Sequence, residues 1–224
     1  MVTRSTRTRV AAARQPAVLL PELLPFEGGG LEPDGDYDGV GFEGLDLAGQ
    51  DGAGARFLDC GVRDCAVGEA RLTRARFIDS VLSGLTGVGT DLAQASLRDV
   101  EVLEPRLGGT QLHGAELERV LVRGGKIDYL NLREARLRDV VFDGVVLNEP
   151  DFGGARLERV DFRGCVLAGV DLTGAVLRDV DLRGVARLEI ARGADRLAGA
   201  VISAAQLIEL APVFAAQIGV RVED

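Results

Sequence analysis

A large apolar side chain stands at every fifth position along most of this chain, and this spacing rules out most folds. From Tyr37 to Leu182 this column is interrupted only at Gly52 and Gly87. A helix with 3.6 residues per turn would spread such a period around its whole surface, and a flat strand requires a period of two. The pattern therefore predicts a coil whose sides are five residues long, with one large side chain per side pointing into a shared core.

A second period, of 20 residues, shows how many sides make one coil. Small residues stand two positions before the large ones, and one subset is uniform: Ala55, Ala75, Ala95, Ala115, Ala135, Ala155 and Ala175. Four sides therefore form one square coil, and about 7.5 coils, each rising about 4.8 Å, follow one another. Because like residues stack in a solenoid, we expect Phe57 over Phe77 and Phe142 over Phe162.

The two glycines in the apolar column have different neighbours. Gly87 follows Leu85, which stands where a small residue is usual, so we expect the two sites to exchange volume. Gly52 follows Gln50 and has no such compensation. The sequence therefore predicts a loose first coil.

Two segments carry a resemblance to a known repeat family. Val170–Gly174 reads VDLTG and Ala155–Arg159 reads ARLER. Both resemble the A(D/N)LXX motif of the pentapeptide-repeat family. The resemblance implies an all-β fold, a right-handed quadrilateral β-helix, and a protein that works as a binding surface and not as an enzyme.

The chain divides into four parts. We predict a disordered basic N-terminus at residues 1–15 and an apolar, proline-interrupted N-terminal cap at residues 16–34. The β-helix is predicted at residues 35–186. Residues 187–224 lose the five-residue register, and because a solenoid end needs cover, we predict a helical cap and dimerisation segment there.

The C-terminal part carries local helix signals. Ser203 followed by Gln206 is a capping-box pattern, and Gly219 is a natural stop. Pro212 is expected to divide this segment into two short helices, at residues 204–210 and 212–218.

The tail from Ala200 to Val222 resembles the C-terminal segment of the gyrase-protecting, fluoroquinolone-resistance members of the family. In those members this segment forms the dimer contact. The resemblance implies a homodimer here, with candidate contact residues Leu207, Leu210, Phe214 and Ile218. The alternative is a tail that only folds over the last coil.

Charge and hydropathy exclude several classes of function. A net charge of −9 and a pI near 4.8 argue against direct nucleic-acid binding, which needs clustered Lys and Arg. The stretch at residues 17–26 imitates a secretion signal, but Pro21, Glu22 and Pro25 interrupt it. We therefore expect no membrane span and a cytoplasmic location.

Few residues are available for chemistry. His113 is the only histidine and stands at an outward position, so we expect no His-based catalytic group and no multi-histidine metal site. Cys60, Cys65 and Cys165 occupy small inward positions, which suits buried packing. No cofactor and no enzymatic activity are expected.

Two functional hypotheses remain open. The first is a scaffold that binds an unidentified protein partner. The second is a DNA-mimicking binder of DNA gyrase or another topoisomerase, in which carboxylates replace phosphates and protect against fluoroquinolone-type poisons. Interleaved arginines weigh against the second. The acids expected to form the partner-binding surface gather near the C-terminal end of the rod: Glu149, Asp151, Asp161, Asp171, Asp179 and Asp181.

Overall fold

The chain forms a β-solenoid of about nine turns with one α-helix near its C-terminus. The computed structural model describes residues 10–221. Its strands are β1 (Leu24–Pro25), β2 (Asp36–Asp38), β3 (Val40–Glu43), β4 (Arg56–Leu58), β5 (Gly61–Arg63), β6 (Arg76–Ser83), β7 (Thr86–Val88), β8 (Ser96–Leu103), β9 (Arg106–Gly108), β10 (Glu116–Arg123), β11 (Lys126–Asp128), β12 (Arg136–Asp143), β13 (Val146–Asn148), β14 (Arg156–Arg163), β15 (Val166–Asp171), β16 (Val176–Asp181), β17 (Arg187–Arg192) and β18 (Ala200–Val201). A 3₁₀-helix at Ala194–Arg196 precedes β18, and α1 spans Ala204–Gln217.

Each coil has four sides, which we number from the coil at residues 76–94. Face 1 is at residues 76–78, face 2 at 81–83, face 3 at 86–88 and face 4 at 91–93, with equivalents every 20 positions. Faces 1 and 2 belong to a 12-stranded parallel sheet, and face 3 is a six-stranded sheet. Face 4 is joined by isolated parallel bridges. Faces 1 and 3 are opposite sides of the rod, as are faces 2 and 4.

Equivalent residues of successive coils lie over one another, in register along parallel strands. The ring centroids of Phe57 and Phe77 are 4.5 Å apart, and those of Phe142 and Phe162 are 4.9 Å apart, with nearly parallel planes. Ala115, in the middle of the alanine column, is fully buried. The predicted 20-residue coil, its stacked aromatic pairs and the all-β quadrilateral β-helix are therefore confirmed.

The chain turns between faces at corner residues with positive φ. The value is 48° at Asp79 and 57° at Gln94, in the left-handed region that favours glycine. Asp, Glu, Arg and Gln occupy many of these corners. Their side chains therefore stand at the edges of the rod.

The β-helix extends past residue 186, where the sequence pattern placed its end. Leu188 pairs with Leu167, 21 positions earlier, whereas Ala200 pairs with Val180, 20 positions earlier. A bulge absorbs the extra residue. The inserted residue interrupts the five-residue register in the sequence, although the coil continues. The predicted end of the β-helix at residue 186 and the estimate of 7.5 coils are therefore wrong.

The C-terminal segment forms one helix. The predicted capping box is confirmed: the main-chain N–H of Gln206 donates to Ser203 Oγ at 3.2 Å, and that of Ser203 donates to Gln206 Oε1 at 2.8 Å. Gly219, with φ of 77°, follows the helix end. The predicted break at Pro212 is wrong. Pro212 removes the N–H partner of the Ile208 carbonyl, but both residues are exposed, so water can bind that carbonyl instead.

Residues 10–23 lie along the outside of the rod, and we call them the strap. Arg14 binds Asp139 on the sixth coil, and Leu23 packs against Gly41 and Gly61 near the first coils. The prediction of disorder is therefore wrong for residues 10–15, because Arg14 finds a carboxylate far away in the sequence. Residues 1–9, also predicted to be disordered, lie outside the described part.

The chain after β1 covers the N-terminal end of the rod. Phe26 stacks on Phe42 with centroids 4.5 Å apart. Leu31 is buried, and its Cβ lies 3.3 Å from where a Cβ on Gly52 would stand. Leu31 therefore fills the space that Gly52 leaves, and the expectation of a loose first coil is wrong. The predicted cap at residues 16–34 is only partly an end cap, because its first residues belong to the strap.

Candidate interaction surfaces

The interior of the described rod is filled by its own side chains. Leu85 is buried, as the expected exchange of volume with Gly87 requires. A core cavity whose lining includes Leu85, Leu92 and Leu107 has a volume of about 50 Å³. Pockets for small molecules typically measure about 300–1,000 Å³. Any sizeable partner must therefore meet the outer faces.

Charge differs from face to face. The arginines of face 1 are Arg56, Arg76, Arg98, Arg136, Arg138, Arg156 and Arg178. The acids of face 1 are fewer: Asp36, Asp38, Glu116, Glu118 and Glu158. Several of these groups are paired one coil apart, as Arg136 is with Glu116 at 2.7 Å. The negative excess of the chain therefore lies on the other faces and at the corners.

The predicted acidic surface is divided among different sides of the rod. Asp151 and Asp171 lie on face 4, whereas Asp161 and Asp181 lie on face 2, which is opposite. Asp179 lies at the corner between faces 1 and 2. Ten residues make half a coil, so acids spaced ten residues apart alternate between opposite faces. The expectation of one acidic patch near the C-terminal end is therefore wrong.

These face acids are also engaged by neighbouring arginines. The pairs are Arg133–Asp151 at 3.1 Å, Arg163–Asp161 at 2.6 Å, Arg192–Asp171 at 2.9 Å and Arg183–Asp181 at 2.6 Å. The hydrogen bond from Arg183 lowers the pKa of Asp181 below its usual value. Asp151 and Asp171 also accept the main-chain N–H two residues later, each at 2.8 Å. The two acids therefore also order the turns that follow them.

A different group of acids is available to a partner. Between residues 56 and 154, five exposed corner carboxylates have no ion-pair partner among residues 10–221: Asp64, Glu69, Glu104, Glu134 and Glu149. They stand at the three corners that border faces 3 and 4. Only Glu149 belonged to the predicted set. The sequence signal for the others is an acid two positions after a large core residue, with no arginine 20 positions away.

The corner between faces 1 and 2 differs because the strap covers part of it. Asp139 is fully buried there and accepts hydrogen bonds from Arg159 Nε at 2.8 Å and from Arg14 Nη2 at 2.8 Å. Burial alone raises the pKa of Asp139. The hydrogen bonds from Arg159 and Arg14 outweigh this effect and hold the pKa well below its usual value.

The predicted dimer-contact residues occupy two sides of α1. Leu210 is 3% exposed and packs in the core of its own chain, so it offers no surface to a second chain. Phe214 is half-buried against the same core. Leu207 and Ile218 are 52% and 77% exposed. The structure therefore separates Leu210 from the exposed residues of the predicted contact.

The remaining candidate residues lie where the sequence placed them. His113 is exposed on face 4. Cys60, Cys65 and Cys165 are buried and unpaired with one another. Burial raises the pKa of each thiol, to about 11 at Cys165, so these groups are protonated at neutral pH.

Sequence comparison matches the rod to one family. The family described as Pentapeptide repeats matches eight copies, over residues 129–164 and 155–185. The chain is a pentapeptide-repeat protein. The matched repeats lie in the C-terminal half of the β-helix, and the same coil continues on both sides of them. No curated protein sequence matches the chain.

Solved structures of other repeat proteins are similar to this pentapeptide-repeat protein. Full-length QnrB1, a plasmid-mediated fluoroquinolone resistance protein, is 17% identical, with 86% of this chain and 96% of that chain covered and a TM-score of 0.36. HetL, a pentapeptide repeat protein involved in heterocyst differentiation regulation from the cyanobacterium Nostoc sp., is 18% identical, with 78% and 92% covered and a TM-score of 0.25. Within residues 10–221, neither helix has the length and apolar character needed to cross a bilayer.

Proposed function

We propose that this protein is a non-enzymatic scaffold that binds a protein partner through the outer faces of its rod. The observation that supports this function is the placement of the unpaired corner carboxylates. Inward side chains fill the core, whereas these acids stand exposed along three edges. A stiff, regular surface with charged edges suits contact with another macromolecule.

Photo-crosslinking from single positions tests the scaffold function. A photoreactive residue at Val88, which is 69% exposed on face 3, is expected to capture a partner of defined mass in cells that produce the protein. Val176, which is 58% exposed on face 1, is the matched control and is expected to give no such adduct. If photoreactive residues on all four faces capture nothing, the scaffold function is wrong.

A second candidate function is DNA mimicry toward DNA gyrase or a related topoisomerase, with protection against fluoroquinolone-type poisons. The corner carboxylates favour it, because they are exposed, unpaired and aligned along the edges of the rod. A basic groove that binds phosphates would attract such a row of charges. The resemblance of the tail to the gyrase-protecting members supports the same candidate.

Gyrase supercoiling assays with matched variants test the second candidate. The corner variant replaces Glu69, Glu104, Glu134 and Glu149 with Gln. Gln94 shows that a corner accepts Gln, since its φ is 57°. The face variant removes four acids from face 1: Asp36, Asp38, Glu116 and Glu158.

We expect the parent to inhibit or protect gyrase, with an effect that weakens as salt rises. The corner variant is expected to lose this effect, and the face variant is expected to keep it. If the parent has no effect on gyrase at any salt concentration, the mimicry candidate is wrong and the scaffold function stands alone.

We also propose that the protein forms a homodimer through α1. Leu207 and Ile218 stand on one side of the helix, beside the buried side that carries Leu210. Ile208, which is 75% exposed, widens the apolar surface. Exposed apolar surface of this kind marks interaction sites.

A further inference from the structure

The strap is an extended segment that runs along the rod from late coils to early ones. The main-chain N–H of Ala11 donates to Asp179, and Arg14 binds Asp139, two coils earlier. Two coils span about 9.6 Å, and three extended residues span about 10 Å. Leu20 then reaches Gly61, four coils further on. The strap therefore crosses most of the length of the corner between faces 1 and 2.

Alternate residues of the strap face the rod, as in a β-strand. Pro16 is buried, and Val18 and Leu20 are half-buried. Ala17 is exposed, and Leu19 is 90% exposed. The strap therefore presents Arg, Pro and aliphatic side chains to the rod at every second position.

Face 2 has an apolar surface on the coils that the strap crosses. Leu121 and Val141 occupy outward positions of face 2, because their neighbours Val120 and Val140 point into the core. Outward residues elsewhere are mostly polar, yet Leu121 is 3% exposed and Val141 is fully buried. They lie on the coils that the strap crosses between its contacts with Asp139 and Gly61. Together with Asp139, they form what we call the strap groove.

Side chains hold the strap, and main-chain pairing does not. In the described residues, no hydrogen bond joins a main-chain atom of residues 10–23 to a main-chain atom of the rod. Main-chain pairing begins at Leu24, which donates to Gly39, and continues at Phe26, which donates to Gly41. The end cap is therefore anchored independently of the strap, which can leave the groove without opening the rod.

The carboxylate in the groove is preorganised. Asp139 accepts hydrogen bonds from Arg159, which belongs to the next coil of the rod, at 2.8 and 3.0 Å. Arg14 adds its own hydrogen bonds to the same carboxylate. If Arg14 leaves, Arg159 still fixes Asp139 in place, ready to accept another guanidinium.

We propose that the strap groove is a binding site for an extended segment of a protein partner, and that the strap occupies this site as an internal competitor. The chemistry of the strap identifies the partner segment. The partner segment carries an arginine that binds Asp139. It also carries apolar residues at alternate positions, beginning with a proline two positions after the arginine, and these pack on the surface at Leu121 and Val141. This surface is separate from the exposed corner carboxylates, so the inference does not rest on the function proposed above.

A labelled peptide tests the proposal in the full-length chain. The probe is a fluorescein-labelled peptide with the sequence of residues 10–23. A strap-released variant combines Arg14→Glu with Val18→Asp, which repel Asp139 and the apolar groove. A covalently attached strap competes at an effective concentration of about 1 mM. We therefore expect the probe to bind the strap-released variant at least tenfold more tightly than the parent, measured by fluorescence anisotropy.

Matched variants distinguish the groove from the rest of the surface. Leu121→Asp added to the strap-released variant is expected to abolish probe binding, whereas Val88→Asp on face 3 is expected to leave it unchanged. A probe peptide with Arg14→Glu is expected not to bind. Leu19→Asp in the parent changes only the outer side of the strap, so probe binding to it is expected to match the parent.

Two results would overturn the proposal. One is a strap-released variant with parental circular dichroism that does not bind the probe. The other is dimerisation of the parent with the strap of each chain on the rod of the other, which would assign the groove to a second copy.

If the strap-released variant does not fold, a protease site inserted between Leu23 and Leu24 of the parent supplies the measurement. After cleavage, the strap is expected to exchange with the labelled peptide while the rod keeps its circular dichroism. Failure to exchange, or loss of the fold, would show that the strap is a permanent part of the rod.

Discussion

The carboxylate of Asp139 accepts three hydrogen bonds from Arg14, a residue 125 positions earlier in the chain. Two of them come from the guanidinium and one from the main-chain N–H. Because Asp139 is fully buried, these bonds and those from Arg159 replace the water that the charge would otherwise bind. The stability of this corner should therefore depend on the charge of Asp139.

Asp139→Asn is expected to lower the free energy of unfolding by about 1–3 kcal/mol at pH 7, because it removes the charged acceptor of two arginines. Asn tolerates a left-handed corner, so the backbone should not change. The folded-state pKa of Asp139 is lowered, so its stabilising contribution is present above the unfolded pKa of about 3.9 and is lost as the pH falls below it. Urea unfolding at pH 7 and pH 3 measures this. An equal loss at both pH values contradicts the prediction.

Asp79→Asn is expected to stabilise the protein by about 0.5 kcal/mol at pH 7. Burial raises the pKa of Asp79, and the carboxylates of Asp99 and Asp59 raise it further. Because the folded-state pKa is raised, Asp79 contributes no penalty below the unfolded pKa, where it is protonated. As the pH rises the carboxylate ionises, and at pH 7 its charge lowers the free energy of unfolding. The gain should disappear at pH 3, as thermal melts would show. The control Asp99→Asn should destabilise, since Asp99 accepts two hydrogen bonds from Arg119, each at 2.6 Å.

Thr110→Val is expected to stabilise the rod by about 1 kcal/mol, because the buried Thr110 hydroxyl has no hydrogen-bond partner in the described structure. The equivalent Thr90 hydroxyl donates to the carbonyl of Val67, 23 positions earlier, at 2.8 Å. The residue 23 positions before Thr110 is Gly87. Its φ of 151° differs from that of a regular strand, and the Thr110 hydroxyl makes no hydrogen bond to its carbonyl. Thr90→Val should instead destabilise by about 1 kcal/mol. If urea unfolding ranks the two variants in the opposite order, this explanation fails.

Leu207→Asp is expected to convert the proposed dimer to a monomer while the melting temperature stays near that of the parent, because Leu207 is 52% exposed in one chain. Leu210→Asp is the matched control one turn along. It should lower the melting temperature, because Leu210 is 3% exposed and a charge there would lie in the core. Analytical ultracentrifugation measures the assembly. A parent that is monomeric at micromolar concentration would contradict the proposed homodimer.

The coil could be predicted from the sequence alone, because the fold repeats one local pattern. Every inward column can be read at spacings of five and 20, so stacked pairs such as Phe57 and Phe77 followed without three-dimensional information. The helix start at Ser203 and the glycine after its end were also readable, since each depends on side chains within one turn.

The candidate site was less accessible from the sequence, because the availability of an acid depends on its place on the coil and on arginines of the same or a neighbouring coil. Asp151 and Asp161 look alike in the sequence, yet they lie on opposite faces and each is paired with an arginine. Glu149 remains unpaired at a corner, because the equivalent positions on adjacent coils are Tyr129 and Gly169. Reading the acids by coil position, and not by their density along the chain, identifies the exposed group.

The contacts that do not repeat could be identified only from the folded chain. The strap meets the rod through Arg14 and Asp139, and Leu31 fills the space above Gly52. These contacts join segments of different pattern, so no periodic signal in the chain records them. The same holds for α1, where the exposure of Pro212 on the finished rod allows one helix to continue past a residue that usually ends it. The repeated local pattern determines the rod. Long-range contacts that occur only once determine how the strap, the N-terminal cap and α1 cover its sides and ends.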